Sequence, residues 1–269
     1  MSEQTESARY WYEDGAGFFG RKYMEGDDSL EGFLSTPHTL SMRTAREVQG
    51  VEKLLALKPG NSILDCPCGY GRHSIPLAEK GYKVLGVDIN QEMLEAAYRN
   101  VNGTGNIEFA RGNMLSLEYQ KRFDAVINMF LAFGFFDTDE DNLHVLGNFY
   151  RALKPGGRVL LHTDVNVGRI TRGSYKFHEK RSLRSGRTLE IVESYDPKRK
   201  RLNGQWILID GNGVRDELPR YSCRIYTADE IIDLCNSVGF ASVKLYGGWG
   251  GEDLEEDSEE MIVVATRGE

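Results

Sequence analysis

The sequence predicts a doubly wound α/β fold, and three observations carry that expectation. From Ile63 onward, short Val/Ile/Leu-rich runs alternate with helix-length amphipathic segments. Two of those runs end in an acid, Asp65 and Asp88, and a glycine-containing turn joins the first run to the helix after it. Parallel strands cannot be joined by a tight turn, so helix-length crossovers imply a parallel sheet covered on both faces. The 269 residues suffice for one such domain with an insertion, the default reading, or for two small domains.

An aromatic, glycine-spaced segment from Arg9 to Tyr23 (RYWYEDGAGFFGRKY) precedes the sheet, followed by an amphipathic helix from Ser41 to Leu57. The segment reads as a staple buried against the sheet or as a lid over a ligand. Ile63 to Asp65 is the first strand. Arg72 to Lys80 is a helix closed by Gly81, and Lys83 to Asp88 is the second strand. Asn90 caps a helix in which Met93, Leu94 and Ala97 recur at helical spacing. Ile107 to Ala110 and Phe123 to Phe130 are the third and fourth strands. Asp139 to Leu153 places Leu143, Leu146, Phe149, Tyr150 and Leu153 on one face and stops at Lys154-Pro155-Gly156-Gly157. Arg158 to Val165 is the fifth strand.

The rhythm then changes. Thr188 to Tyr195, Leu202 to Asp210 and Val214 to Tyr226 read as strands joined by turns at Asp196-Pro197 and Gly211-Asn212-Gly213, an antiparallel β insertion at about 166–226. The parent fold resumes with a helix capped by Thr227 and running through Val238, a strand from Val243 to Trp249 and a last one from Met261 to Thr266. The sheet then has seven strands. Its last two have no helix between them and require an antiparallel final hairpin.

A formal charge of -8 excludes long-range capture of nucleic acid or an anionic membrane by the molecule as a whole. The distribution is uneven: Asn166 to Arg201 holds eleven Lys or Arg against four Asp or Glu, and Glu252 to Glu260 (EDLEEDSEE) holds seven acids. These read as a solvated basic excursion and a solvated acidic loop. No apolar run approaches the roughly 20 residues of a membrane span. The N-terminus MSEQTESARYW has no signal-peptide core, so a cytoplasmic protein is expected. Cys66, Cys68, Cys223 and Cys235 are too few and too irregular for a disulfide framework. No second Cys/His cluster completes a zinc site, and no metal is expected.

In an open parallel sheet ligands bind at the carboxyl ends of the strands, where Asp65 and Asp88 lie. A glycine-containing turn lets the backbone approach a ligand, the following helix offers N–H groups, and the second acid can accept from ribose hydroxyls. The pattern implies a nucleoside cofactor, with nicotinamide dinucleotide and S-adenosylmethionine both eligible. The loop Asp65-Cys66-Pro67-Cys68-Gly69-Tyr70-Gly71 begins with an acid, which would repel a pyrophosphate and suits the ammonium group of a sulfonium amino acid.

In these residues the chain resembles the class I S-adenosylmethionine-dependent methyltransferases, whose first motif is a hydrophobic strand, then acid, x, Gly, x, Gly, x, Gly. Asp65, Gly69 and Gly71 match it. Pro67 stands where the first glycine usually lies, which removes an N–H and fixes φ. The resemblance continues through Val87-Asp88, Gly112-Asn113-Met114, Phe123-Asp124-Ala125-Val126 and Leu153-Lys154-Pro155-Gly156-Gly157, and covers roughly Val51 to Thr266 apart from the insertion. The chain is also similar to a bacterial and archaeal group of this superfamily, mostly without assigned substrates. That likeness rests on the aromatic N-terminal segment, Arg43-Thr44-Ala45-Arg46-Glu47-Val48, the insertion, and Tyr246-Gly247-Gly248-Trp249.

The resemblance implies a Rossmann-like methyltransferase domain over 59–269, preceded by an aromatic lid and helical segment over 1–58. It implies that S-adenosylmethionine is held by Asp65, Gly69 and Gly71 at its methionine portion, by Asp88 and Ile89 at the ribose, and by Asn113 and Met114 at the adenine. Arg43 is expected to meet the cofactor carboxylate, with Tyr12 or Tyr23 closing over it. Methyl transfer from a sulfonium is an in-line displacement that depends on positioning, and an acceptor that must lose a proton also needs a base within reach. The superfamily presents residues after the fourth strand to the methyl group, which brings forward Asn128 and Phe130. His162, on one strand face with Asp164, is the candidate base beside its ordinary reading as a satisfied buried histidine.

Arg172, Tyr175 and His178 in the insertion are candidate acceptor contacts. The expected partner is a small molecule, anionic if the basic cluster faces it, bound by a monomer or homodimer. Its rivals are an RNA methyltransferase with the basic insertion as a phosphate track, a protein that binds the cofactor without methylating, and, as an outsider, a nicotinamide dehydrogenase. Against the first, the fourth strand reads NMFLAF and lacks the Asn/Asp-Pro-Pro-Tyr signature of many amino-group base methylators.

Overall fold

The computed structural model describes residues 10–30, 39–103 and 106–269, so the expected N-terminal segment is followed from Tyr10. Helices α1 (Arg21–Asp27) and α2 (Leu40–Leu54) lead into β1 (Ser62–Asp65), α3 (Ser74–Glu79), β2 (Lys83–Asp88), α4 (Gln91–Asn100) and β3 (Ile107–Arg111). Then come β4 (Phe123–Asn128), α5 (Asp139–Ala152), β5 (Leu153–Thr163) and the short α6 (Val167–Thr171). The insertion supplies β6 (His178–Ser182), β7 (Thr188–Asp196), β8 (Arg201–Ile209), β9 (Arg215–Glu217) and β10 (Tyr221–Arg224), and the chain closes with α7 (Ala228–Val238), β11 (Phe240–Tyr246) and β12 (Met261–Arg267).

The main sheet has seven strands in the order β11-β12-β5-β4-β1-β2-β3. Strands β5, β4, β1, β2 and β3 are parallel, and β12 runs antiparallel to both β5 and β11. Strand order reverses at β1, which pairs with β2 on one side and β4 on the other, so a cleft opens above its carboxyl end. Side chains alternate between the faces. Ile63, Ala125, Ile127 and Leu160 join Val48 and Val51 of α2 and Leu77 of α3. Leu64, Val126, Val159 and Leu161 face the other way, against Leu146 and Phe149 of α5. Local chemistry sets the helix ends: the Asn90 side chain accepts from Met93 N–H at 3.0 Å, and Thr227 and Glu230 form a capping box that opens α7.

The insertion is a separate antiparallel sheet in the order β10-β8-β7-β6, with β9 on β8. It departs from the sequence reading in two places. Strand β6 (HEKRS) carries alternating charge and no apolar face, so nothing local marks it. The expected strand from Val214 to Tyr226 is two strands, because Pro219 between them has no N–H to give a ladder.

The N-terminal segment joins the two sheets. Tyr12 and Phe18 are buried, Trp11 packs on Phe135 at 4.7 Å between ring centroids, and Tyr23 stacks on Trp206 at 5.1 Å. Helix α1 docks through Gly26, where an added Cβ would meet the Trp206 ring at 2.9 Å. Among the described residues no helix is long and apolar enough to cross a membrane. The four cysteines are buried free thiols.

Candidate active site

The first cleft, of about 860 Å³, opens at the strand-order reversal. Gly69, with φ 54°, turns its N–H onto Asp88 Oδ2 at 2.8 Å, and Asn90 N–H reaches Asp88 Oδ1 at 2.9 Å. Burial pushes the Asp88 carboxyl up to about 6 against these donors. A Cβ on Gly69 would have only Met93 Cε within 4 Å, at 3.4 Å, so the loop backbone forms an unobstructed wall. Ile89, Met93 and Met114 line the same cleft, with Tyr12, Tyr23 and Asn113 around them. Asn113 caps the turn that follows it by accepting from Leu115 N–H at 2.9 Å. A fixed carboxylate for a diol, apolar walls for a flat base and a bare backbone loop are features that fit an adenosyl group.

Three expected cofactor contacts lie elsewhere. Asp65 is buried beneath the loop, where it accepts from Ser74 Oγ at 2.5 Å and helps begin α3. Its other oxygen has no partner, and burial pushes the carboxyl up to about 7. Gly71 is a packing glycine: a Cβ there would meet Ile75 at 3.0 Å and Phe109 at 3.2 Å. Arg43 lies under the cleft and pairs with Asp27 at 2.5 Å and with Glu47 at 3.8 Å. Two carboxylates taken out of water need cations in contact with them, and this need draws Arg43 inward.

Arg72, which does line the cleft, completes that buried cluster by pairing with Glu47 at 2.5 Å, while Tyr70 donates to Asp27 at 2.5 Å. Burial works against the Glu47 charge, but Arg72 and His73 outweigh it and hold the carboxyl well below the usual range. His73 is pushed down to about 4 by burial and by Arg72, and is neutral at pH 7.

The turn after β4 holds the most strained backbone of the site. Phe130 and Leu131 are consecutive non-glycine residues with φ 55° and 56°. His162 fixes them: its Nδ1 accepts from Phe130 N–H at 3.3 Å and its carbonyl accepts from Leu131 N–H at 3.0 Å. With Nδ1 engaged as an acceptor, the other ring nitrogen, Nε2, faces Glu260 at 3.6 Å. Buried at 2% exposure behind Phe130, His162 does not reach either large cleft. Asn128 is fully buried as well, and donates to the Cys66 carbonyl at 2.8 Å, tying β4 to the first loop. Neither residue is brought to the cleft as a catalytic group; both hold the backbone on which Phe130 is presented.

A second cleft, of about 1140 Å³, adjoins the first and shares Phe19, Tyr23, Asp27, Phe130 and Phe135 with it. The insertion contributes Tyr175, Glu179, Arg181, Glu193, Trp206 and Tyr221, and Asp164 lies at its base. Glu193 accepts from Tyr175 Oη at 2.7 Å and from Tyr221 Oη. Burial pushes its carboxyl up to about 7, with Asp164 adding to the rise and the tyrosines opposing it.

Of the expected acceptor contacts, the structure brings Tyr175 and Phe130 together here and leaves Arg172 and His178 outside. Arg172 is exposed and pairs with Glu256; His178 is exposed and sits at 2.9 Å from Glu190. The basic stretch is largely neutralised. Arg181 pairs with Glu179 at 2.6 Å, Arg184 with Asp28 at 3.1 Å, Arg187 with Glu25 at 3.0 Å and Lys200 with Glu230 at 2.5 Å. An anionic acceptor expected from that cluster would instead face more carboxylates than cations. Glu193, Trp206 and Tyr221 escaped the sequence reading because each sits in an ordinary alternating strand, and only the pairing of the second sheet aims them inward.

Residues 63–157 match the family described as a methyltransferase domain. A demethylmenaquinone methyltransferase of Lactococcus lactis is 40% identical over 107 residues, covering 38% of this chain and 41% of that protein. A glycine/sarcosine N-methyltransferase of Aphanothece halophytica is 31% identical over 141 residues, 50% of this chain and 53% of the relative. The chain thus spans about half the length of these two relatives, or less. The CcbJ methyltransferase from Streptomyces caelestis superposes with a TM-score of 0.72 at 17% identity, over 91% of this chain and 98% of that one, a likeness of fold. With the β1 loop and the paired strand-end acids inside the matched stretch, residues 63–157 are identified as a methyltransferase domain, set in a seven-stranded sheet that shares its fold with that structure.

Proposed function

We propose that the protein is an S-adenosylmethionine-dependent methyltransferase acting on a small-molecule acceptor in the second cleft. One observation carries the reading: a cleft lined by Asp88, the Gly69 loop and apolar walls meets a second, aromatic cleft at the strained Phe130 turn. The cofactor, when bound, supplies a methyl group already activated on a sulfonium, so the protein's task is to align donor and acceptor and keep water out. Asp88 accepts from the ribose hydroxyls, with Ile89 beside it. Asn113 and Met114 border the adenine, Gly69 admits the methionine portion, and Tyr23 and Phe130 form the partition between the two ligands. His162 and Asn128 act as positioning residues. The relatives named above act on demethylmenaquinone and on glycine or sarcosine, which are small molecules, and the second cleft has room for such a ligand.

Calorimetric titration with S-adenosylmethionine, S-adenosylhomocysteine and NAD, on the wild type and on Asp88→Ala, tests the cofactor assignment. Both adenosyl ligands should bind and lose about tenfold or more in affinity in the variant, as expected when a charged hydrogen-bond partner is removed. Binding of NAD alone, or of none of the three, would overturn the reading. Adenosyl binding without methyl transfer to any small acceptor would favour a cofactor-binding protein that is not an enzyme.

A further inference from the structure

We propose that the acceptor is an amine, bound as its ammonium ion by Asp164 and Glu193 within the aromatic walls of the second cleft. The proposal rests on the methyltransferase reading above and adds the functional group that is methylated.

The balance of charge is the first argument. Among the cations lining the cleft, Arg181 is paired with Glu179 at 2.6 Å, Arg169 with Glu259 at 3.8 Å, and Lys176 is exposed at the rim. Asp27 is engaged by Arg43 and Tyr70. Asp164 and Glu193 remain: among the described residues neither makes an ion pair, and the cations that act on them, His162, Arg43 and Arg181 on Asp164 and Arg181 on Glu193, do so from beyond ion-pair distance. Two carboxylates that sense each other in a partly dehydrated cleft are stabilised by a cation placed between them.

Geometry is the second argument. Glu193 is oriented by the Tyr175 and Tyr221 hydroxyls, which fix its direction without neutralising it. Trp11, Phe18, Tyr23 and Trp206 line the same cleft, and aromatic rings attract a cation. Burial favours the protonated form of both carboxyls, a preference that a bound cation reverses and that neither an anion nor a neutral phenol would oppose.

The chemistry balances. A carboxylate takes one proton from the ammonium, and the freed lone pair forms the N–C bond to the sulfonium methyl as the S–C bond breaks. The S–C electron pair stays on sulfur, giving the thioether S-adenosylhomocysteine. The nitrogen carries the positive charge as a methylated ammonium, and the carboxyl's proton leaves to solvent.

Three probes of one shape separate the possibilities: phenethylamine, phenylethanol and phenylacetate, titrated calorimetrically with and without S-adenosylhomocysteine. The amine should bind at least about tenfold more tightly than either isostere. That preference should shrink to about threefold or less in Glu193→Gln and in Asp164→Asn, each first shown by thermal melting to be folded. Equal affinities, preference for phenylacetate, no amine binding at millimolar concentration, or preference unchanged in both folded variants would overturn the proposal. Adenosyl binding is recorded in the same titrations. Intact adenosyl binding with no amine preference sinks this inference alone, whereas absent adenosyl binding sinks the methyltransferase reading.

Discussion

At Asp88, burial and backbone donors compete for one proton, and burial prevails, with the carboxyl raised to about 6. Between the usual carboxylate range and that value the folded protein holds a proton that the unfolded chain has released. Stability from this group therefore declines as pH rises through the window. Ligand binding has the opposite sense, since ribose hydroxyls donate to the ionised form. Affinity for S-adenosylhomocysteine should fall about fivefold or more between about pH 7.5 and about pH 5, and Asp88→Asn should be weak at both. A wild-type affinity that calorimetry finds flat across that range would refute the role.

The place of Asp88, Ile89, Gly69 and Met114 in the lining of the first cleft was legible in the sequence, because they belong to short local motifs at strand ends whose geometry the strands and turns enforce. Asn128, His162 and Arg43 were not. Their partners, Cys66, Phe130 and Asp27, are distant in sequence, and a polar side chain turns toward a cleft or into a neighbouring backbone according to such partners.

Among the elements, α1 is the short helix on which both clefts depend, for it carries Tyr23 and Asp27 to their common wall. It sits close against Trp206 of β8 only because residue 26 has no side chain. Gly26→Ala should cost about 1–3 kcal/mol by overpacking and should weaken adenosyl binding, seen as a lower denaturation midpoint and a raised dissociation constant. An unchanged midpoint together with unchanged adenosyl affinity would show that α1 can dock without this contact. The helix was hidden in the sequence as part of an aromatic segment, since a seven-residue helix gives too few turns for a periodic signal. Strand β6 was hidden for a related reason: apart from Arg181, its residues face solvent at least in part, so it lacks an apolar stripe. The parallel core was readable because strands buried on both faces must be apolar throughout.

For the whole molecule, net charge and local pairing act together. The basic stretch that invited an RNA reading is laced to Glu179, Asp28, Glu25, Glu230 and Glu256, which leaves few cations to displace counterions from a phosphate chain. Gel shift with structured RNA at low salt should show no retention at micromolar protein. Retention that fades with salt at a slope of several phosphates would restore that rival.

The second cleft takes only Phe130, Leu131 and Phe135 from the stretch 63–157 that matches the family; the rest of its lining comes from the N-terminal segment, the insertion, the chain beside them and Glu259. On the proposed function, family likeness and acceptor choice therefore lie in different parts of the chain. With the second cleft as the acceptor's chamber, as proposed, changes in residues 10–27, 164–223 or at Glu259 could alter what is methylated without touching the matched stretch. Kinship in substrate is to be sought in the chamber.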